Sequence, residues 1–294
     1  MTRLRRSVLF MPGSNTQALE KGRNLRADAL VLDLEDSVAP DAKRKARAQI
    51  AEVVKARSFG KREVLIRVNA VETPWWREDV AMAAQARPDG ILVPKVSSVA
   101  DLNSIAGQLA ANGAAPSLSL WVIIETARAV WHAEELAAGA TIPKKRLAGF
   151  IFGPNDLSRE TGIKMVPGRA TMIATITHCI LAARAQGIEM LDGPYSDFSN
   201  PEGFAAECRQ ARDFGFDGKT LIHPNQIDAC NAIFTPQLEE LAHARRIIAA
   251  FELPENTSRG AFQVNGQMVE RLHAEMAKRT IAVADAIRRH DNVR

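Results

Sequence analysis

The chain has 294 residues, 46% of them hydrophobic and 24% charged, enough for a large buried core and too apolar for a disordered chain. A net charge of +4, scattered basic residues and a single Tyr argue against a nucleic-acid surface and are compatible with an acidic small-molecule substrate. Three cysteines without a CxxC spacing, no apolar run of about 18 residues, and a start that leads straight into "SVLFMPG" together give the expectation of a cytoplasmic protein with no membrane span.

Short apolar runs recur along the chain: "SVLFM" at 7, "ALVLDL" at 29, "VLIRV" at 64, "GILVPK" at 90, "LWVIIE" at 120, "AGFIFG" at 148, "GIEMLD" at 187 and "GKTLIHP" at 218. Each is too continuous for a half-exposed antiparallel strand and fits a buried parallel one. The stretches between them, such as "DAKRKARAQIAEVVKAR" and "PEGFAAECRQARDFG", have helical spacing. Strands alternating with helices in this number predict a (β/α)8 TIM barrel over residues 1–224. A doubly wound open sheet is the alternative, but the GxGxxG that would favour it after the first strand is absent. Beyond 224, "QIDACNAIF", "PQLEELAHARRIIAAFE" and "MVERLHAEMAKRTIAVADAIRR" read as helices, with "LPENTSRGAFQVNGQ" as a polar stretch among them. Residues 225–294 are therefore expected to form a C-terminal helical extension whose core alone would be thin.

Barrel active sites lie at the C-terminal ends of the strands. Those ends carry Asp33, Glu35 and Asp36; Arg67 and Asn69; Pro94 and Lys95; Glu125 and Arg128; Gly153, Asn155 and Asp156; Asp192; and His223. Carboxylates that converge must take up protons or a cation. An all-oxygen set suits Mg2+ or Mn2+, with Glu125 and Asp156 as the pair for direct ligation and Glu35 and Asp36 hydrogen-bonded to the ion's waters. Arg67 offers a bidentate donor to a substrate carboxylate, and metal with arginine suits a 2-oxo or 2-hydroxy acid. Structural roles compete with each assignment. Asp36 could cap the helix near Ala42, Asp156 could be an N-cap, Arg67 could pair with Glu63 or Asp79, and His223 could fix its loop. Lys95 could be a Schiff-base lysine, although nearby acids disfavour that. Trp75 and Trp76 fit a loop packed over the barrel end.

The segments "RSVLFMPGSN", "DALVLDLEDSV", "IRVN" followed by "TPWW", "VIIET", "FGPNDLS" and "GKTLIHPNQI" resemble the citrate lyase β-subunit-like proteins of the HpcH/HpaI aldolase superfamily. That superfamily includes citryl-, malyl- and citramalyl-CoA lyases, and the likeness runs through at least residues 6–236. It implies a homo-oligomer, commonly a homotrimer, with Mg2+ on Glu125 and Asp156 and with Arg67 on the oxo-acid portion of the substrate. It further implies that a thioester of coenzyme A or of an acyl carrier protein enters over the barrel end, with Arg6 and Lys21 as phosphate contacts. The expected reaction is cleavage of a 3-hydroxyacyl-CoA thioester, of the citramalyl-CoA or malyl-CoA type, to acetyl-CoA and a 2-oxo acid. Three alternatives share the resemblance: a citrate lyase β subunit acting on citryl-carrier protein within a lyase complex, a malyl-CoA-type thioesterase, and a non-catalytic CoA-thioester-binding subunit. The family's C-terminal segment reads like "DGKMIDxP", and its last Asp serves a neighbouring subunit's site as acid–base group. This chain reads "NGQMVERL", so Glu270 takes that place and the proline is gone. The resemblance thus gives Glu270 the acid–base role and has the extension complete a neighbouring subunit's site.

Overall fold

The apolar runs become strands in a computed structural model that describes residues 3–139, 146–256 and 259–291. They are β1 (Ser7–Pro12), β2 (Ala29–Asp33), β3 (Glu63–Arg67), β4 (Gly90–Val93), β5 (Ser119–Ile124), β6 (Leu147–Phe152), β7 (Glu189–Asp192) and β8 (Gly218–Leu221). Each pairs in parallel with the next, and β8 closes on β1 through Ser7–Lys219, Val8–Thr220 and Leu9–Leu221. The result is the expected (β/α)8 barrel. Both faces of the strands are buried, which is why their sequences are continuous rather than alternating. Val8, Val31, Leu65, Leu92, Trp121 and Ile151 belong to one core cluster built from the strands.

The connecting helices are α1 (Thr16–Gly22), α2 (Lys43–Lys55), α3 (Trp76–Ala86), α4 (Val99–Ala111), α5 (Ala127–Trp131), α6 (Ala133–Ala138), α7 (Pro154–Thr161), α8 (Ile173–Ala185) and α9 (Pro201–Phe214). Their starts are marked chemically. Ser98 and Asp101 form a capping box on α4, and Asn200 caps α9 with Pro201 in its first turn. The first helix after each strand begins beyond that strand's C-terminal end, so such caps sit beside the loops that carry the functional side chains.

Charge pairs close the other end of the barrel. Arg5 lies over the Trp121 ring, donates to Glu63 Oε1 (Nη2, 2.8 Å) and pairs with Glu189. Arg6 donates to Asp28 through Nε (2.8 Å) and Nη2 (2.9 Å).

The chain divides into two compact units, one spanning Arg5–Asn231 and the other joining Leu4 to the stretch from Ala232 on. The first unit passes the expected break at 224 for a physical reason. Ile227 and Cys230 are buried, the Cys230 thiol donates to the Arg6 carbonyl oxygen, and Ser7 Oγ donates to Asn231. The second unit contains α11 (Leu238–Glu252) and α12 (Arg271–Asp291), and the short α10 (Ile227–Ile233) spans the boundary. The polar stretch before the last helix is not all loop. β9 (Ala261–Val264) and β10 (Gln267–Glu270) form an antiparallel hairpin, turned at Asn265 and Gly266 with φ of 50° and 82°. An Asn-Gly pair in that conformation is the favoured two-residue hairpin turn, so the signal was present in "VNGQ". Val269 packs there with Ala244, Ile247, Ala274 and Ala277. Among the described residues no helix is long and apolar enough to cross a membrane.

Candidate active site

β2 and β3 end together. Their register sets Asp33 beside Arg67, and the guanidinium binds the carboxylate side-on, Nε to Oδ1 and Nη2 to Oδ2, both at 2.6 Å. Asp33 also accepts from the main-chain N–H of Glu35 and the hydroxyl of Ser37. Burial pushes the Asp33 carboxyl up, but Arg67 outweighs it and holds the carboxyl below the ordinary carboxylate range. Burial likewise lowers Arg67, and Asp33 together with Glu35 and Asp36 more than reverses it. The guanidinium lies 5.0 Å from the Phe10 ring centre, which fixes its plane. Neither structural alternative for Arg67 holds, because Glu63 is taken by Arg5 and Asp79 by Arg47.

Glu35 is buried between two cations. Its Oε1 lies 2.5 Å from Lys95 Nζ, and its Oε2 lies 2.7 Å from Arg67 Nη1 as an ion pair without hydrogen-bond geometry. Burial still raises its carboxyl above the ordinary range against both partners. Lys43 steadies the same turn, its Nζ donating to the carbonyls of Leu34 and Glu35 while lying over Trp75. Asp36 is exposed at the cavity edge and caps no helix, since α2 begins on Ala42 without a side-chain cap.

Lys95, just past β4, has a left-handed backbone with φ of 55°. A residue with a Cβ held there costs roughly 1–3 kcal/mol, so the surroundings must impose it. The turn aims the Lys95 N–H at Glu125 Oε1, 2.8 Å away. Glu125 is 4% exposed, and its carboxyl is pushed up to about 8 by burial, with the charges of Glu35 and Asp156 adding to the shift. Gly153 lets Glu125 lie against the end of β6: a Cβ there would sit 2.4 Å from Glu125 Cβ and 3.0 Å from its Oε2. Asp156 falls in the first turn of α7, whose N-cap is Gly153, so it is not itself the cap. It accepts from Arg159 (2.5 Å) and stands 4.0 Å from Lys95 Nζ.

Asp36, Arg67, Glu125 and Asp156 border a cavity of about 300 Å³ whose wall also includes Phe10, Ile123 and Ile151. The structure thus brings together Arg67, Glu35, Asp36, Glu125 and Asp156. Among the described residues no group of three or more His, Cys, Asp or Glu side chains could hold an ion by itself. Two carboxylates still suit Mg2+, which keeps several waters and uses one or two protein oxygens. The donor set fits: a buried acid resisting ionisation shares the cavity with a second carboxylate, and a bound cation would favour the ionised form of the first.

Other expected residues stand elsewhere. Arg6 is a correction. It precedes β1 at the N-terminal end of the barrel, buried against Asp28, with the length of the barrel between it and a ligand at the opposite end. Lys21 is exposed in the last turn of α1. Glu270 belongs to the second unit, at the end of β10, where its N–H donates to His273 Nδ1 (2.9 Å). Asp192 is a buried partner of Arg169 and Lys219 and serves packing. His223 fixes its loop, accepting from the Asn225 N–H and stacking on Phe198. Sequence reading assigned no supporting role to Asp33, Lys43 or Gly153. The register that pairs Asp33 with Arg67 comes from the structure, since parallel order alone leaves it open.

A family model described as HpcH/HpaI aldolase/citrate lyase matches residues 6–224. A (3S)-malyl-CoA thioesterase of Cereibacter sphaeroides is 45% identical over 282 residues, covering 96% of this chain and 95% of that protein. An L-malyl-CoA/beta-methylmalyl-CoA lyase of the same organism is 34% identical over 310 residues, with the same coverage. Among solved structures, CitE from Mycobacterium tuberculosis in complex with magnesium, acetoacetate and coenzyme A aligns with a TM-score of 0.75. It is 29% identical over 95% of this chain and 97% of that one.

Proposed function

The chain belongs to the HpcH/HpaI aldolase/citrate lyase family, and from that premise we propose that it is a Mg2+-dependent enzyme that hydrolyses a malyl-CoA-type thioester to the 2-hydroxy acid and coenzyme A. The observation that carries the reading is one cavity holding a fixed guanidinium beside two carboxylates, Glu125 and Asp156, the first of them buried without a cation in hydrogen-bond contact. The likeness to a malyl-CoA thioesterase, stronger than that to the malyl-CoA lyase, favours hydrolysis.

Arg67 has five N–H donors; Asp33 engages one on Nε and one on Nη2, and Glu35 Oε2 stands 2.7 Å from Nη1, so the second N–H of Nη2 is left for the free carboxylate of the acyl group. Glu125 and Asp156 hold the divalent cation, which when bound supplies Lewis-acid polarisation of a substrate oxygen. Asp36 orders water at the rim. Glu270, delivered by a neighbouring copy in a cytoplasmic homotrimer, moves the proton. Lys21 meets the phosphates of coenzyme A, a role withdrawn from Arg6.

The second reading is carbon–carbon cleavage between C2 and C3 of the same acyl group, releasing acetyl-CoA and a 2-oxo acid; the 34% likeness to a lyase favours it. Product analysis with malyl-CoA, in Mg2+ and in EDTA, separates the two. Malate with free thiol supports hydrolysis, whereas glyoxylate with acetyl-CoA supports the lyase. Folded protein that gives neither in Mg2+ removes both. Glu270→Gln is expected to lower kcat about 100-fold or more with metal affinity unchanged. Turnover within a fewfold of wild type takes the acid–base role away from Glu270.

A further inference from the structure

We propose that Lys95 is the positioning residue that sorts the carboxylates at this site, presenting Glu125 to a divalent cation and withholding Glu35 from it. The inference rests on the reading that Glu125 and Asp156 hold such an ion. Lys95 does not line the cavity and acts through its neighbours. Its left-handed backbone directs the N–H to Glu125 Oε1 at 2.8 Å, which pins one oxygen. Gly153 puts no side chain of its own against the other, Oε2, where a Cβ would lie 3.0 Å away. The Lys95 side chain does the opposite to Glu35. Nζ takes Oε1 at 2.5 Å while Arg67 faces Oε2 at 2.7 Å, so both Glu35 oxygens are engaged. The same Nζ stands 4.0 Å from Asp156, close enough to offset its charge without occupying it.

The number of free carboxylates decides which ion a site prefers. Mg2+ is content with one or two and keeps its waters, whereas Ca2+ collects six to eight oxygens in a looser shell. Without the ammonium, Glu35 keeps a single cation and its Oε1 is released toward Glu125 and Asp156. A third carboxylate then joins the set, and the preference moves toward the larger ion. Lys95 thereby fixes ion selectivity without touching the ion or the substrate.

Calorimetric titration of wild type, Lys95→Met and Lys95→Gly with Mn2+ and with Ca2+ tests this, each variant also carried with Glu35→Gln. Both single variants are expected to bind Ca2+ about tenfold tighter than wild type, with Mn2+ affinity within about threefold. Adding Glu35→Gln is expected to return Ca2+ affinity to the wild-type value. Unchanged or weaker Ca2+ binding overturns the proposal, as does a gain that survives Glu35→Gln. Glycine adopts the left-handed backbone freely, so Lys95→Gly guards against misfolding of the Met variant. Loss of fold in both assigns Lys95 to the scaffold and overturns the proposal as well. Wild-type protein that binds no Mn2+ removes the metal reading itself, a result distinct from normal wild-type binding with unaltered variants.

Discussion

At the N-terminal end of the barrel Arg5 meets Glu63 and Glu189, and Arg6 meets Asp28; at the C-terminal end Glu35, Asp36, Glu125 and Asp156 gather near Lys95, while Arg67 is held by Asp33. At the first end each of these carboxylates has a guanidinium against it, Arg5 holding two and Arg6 one. The second is in surplus: Glu125 has a main-chain N–H for a close partner and resists ionisation. Buried charges that are matched serve the fold, and buried charges left over wait for something from outside. The same residue types at opposite ends of the same strands therefore mean different things.

The largest effect that sharpens this contrast is expected from Arg67→Lys. Lysine keeps the charge but loses the planar fork, so kcat/KM for malyl-CoA should fall about 1000-fold in steady-state kinetics. A loss under tenfold would move the carboxylate contact elsewhere. Arg6→Met should do the reverse, leaving KM unchanged while lowering unfolding free energy by about 3–5 kcal/mol, because Asp28 then loses its guanidinium and keeps the main-chain N–H of residue 6. A raised KM with unchanged stability would return Arg6 to the ligand.

Glu125 gives a pH signature. Its folded value, about 8, lies above the unfolded value of about 4.5, so the folded state holds a proton that the unfolded state has released. Metal-free protein should lose stability as pH rises between those values, by up to a few kcal/mol. Mg2+ or Glu125→Gln should flatten that slope in denaturant titrations. A slope unaffected by either would detach it from Glu125. The smallest effect is expected at Lys21, where Lys21→Glu should raise KM for the thioester about fivefold with no change in melting temperature, since an exposed charge is partly screened.

The barrel was legible because burial on both faces writes itself as uninterrupted Val, Ile, Leu and Phe. The strand-end acids were legible because a parallel barrel sends every strand's C-terminal end to one side. Arg67's partner was not, since the sequence offers Glu63 and Asp79 as well, and register decides for Asp33. Lys95's backbone conformation has no signature in "VPKV". Arg6 was misjudged although its place was available, because a residue before the first strand must fall at the end remote from the site. The hairpin was hidden by polar composition, its strands being only four residues each, with two side chains per face.

The pairing of β1 with β8 has a consequence for how the chain is made. Lys219 leaves the ribosome roughly 210 residues after Ser7, on the order of 10–40 seconds at ordinary rates of synthesis. For that interval the outer edge of β1 has no partner and offers its main-chain groups to any strand nearby. Closure then joins the two ends of the sheet across the longest loop in the barrel, a contact order that makes it a late event. Arg5 can reach Glu189 on β7, and Cys230 the Arg6 carbonyl, once the last strands arrive, so the ionic plug is set as the ring shuts.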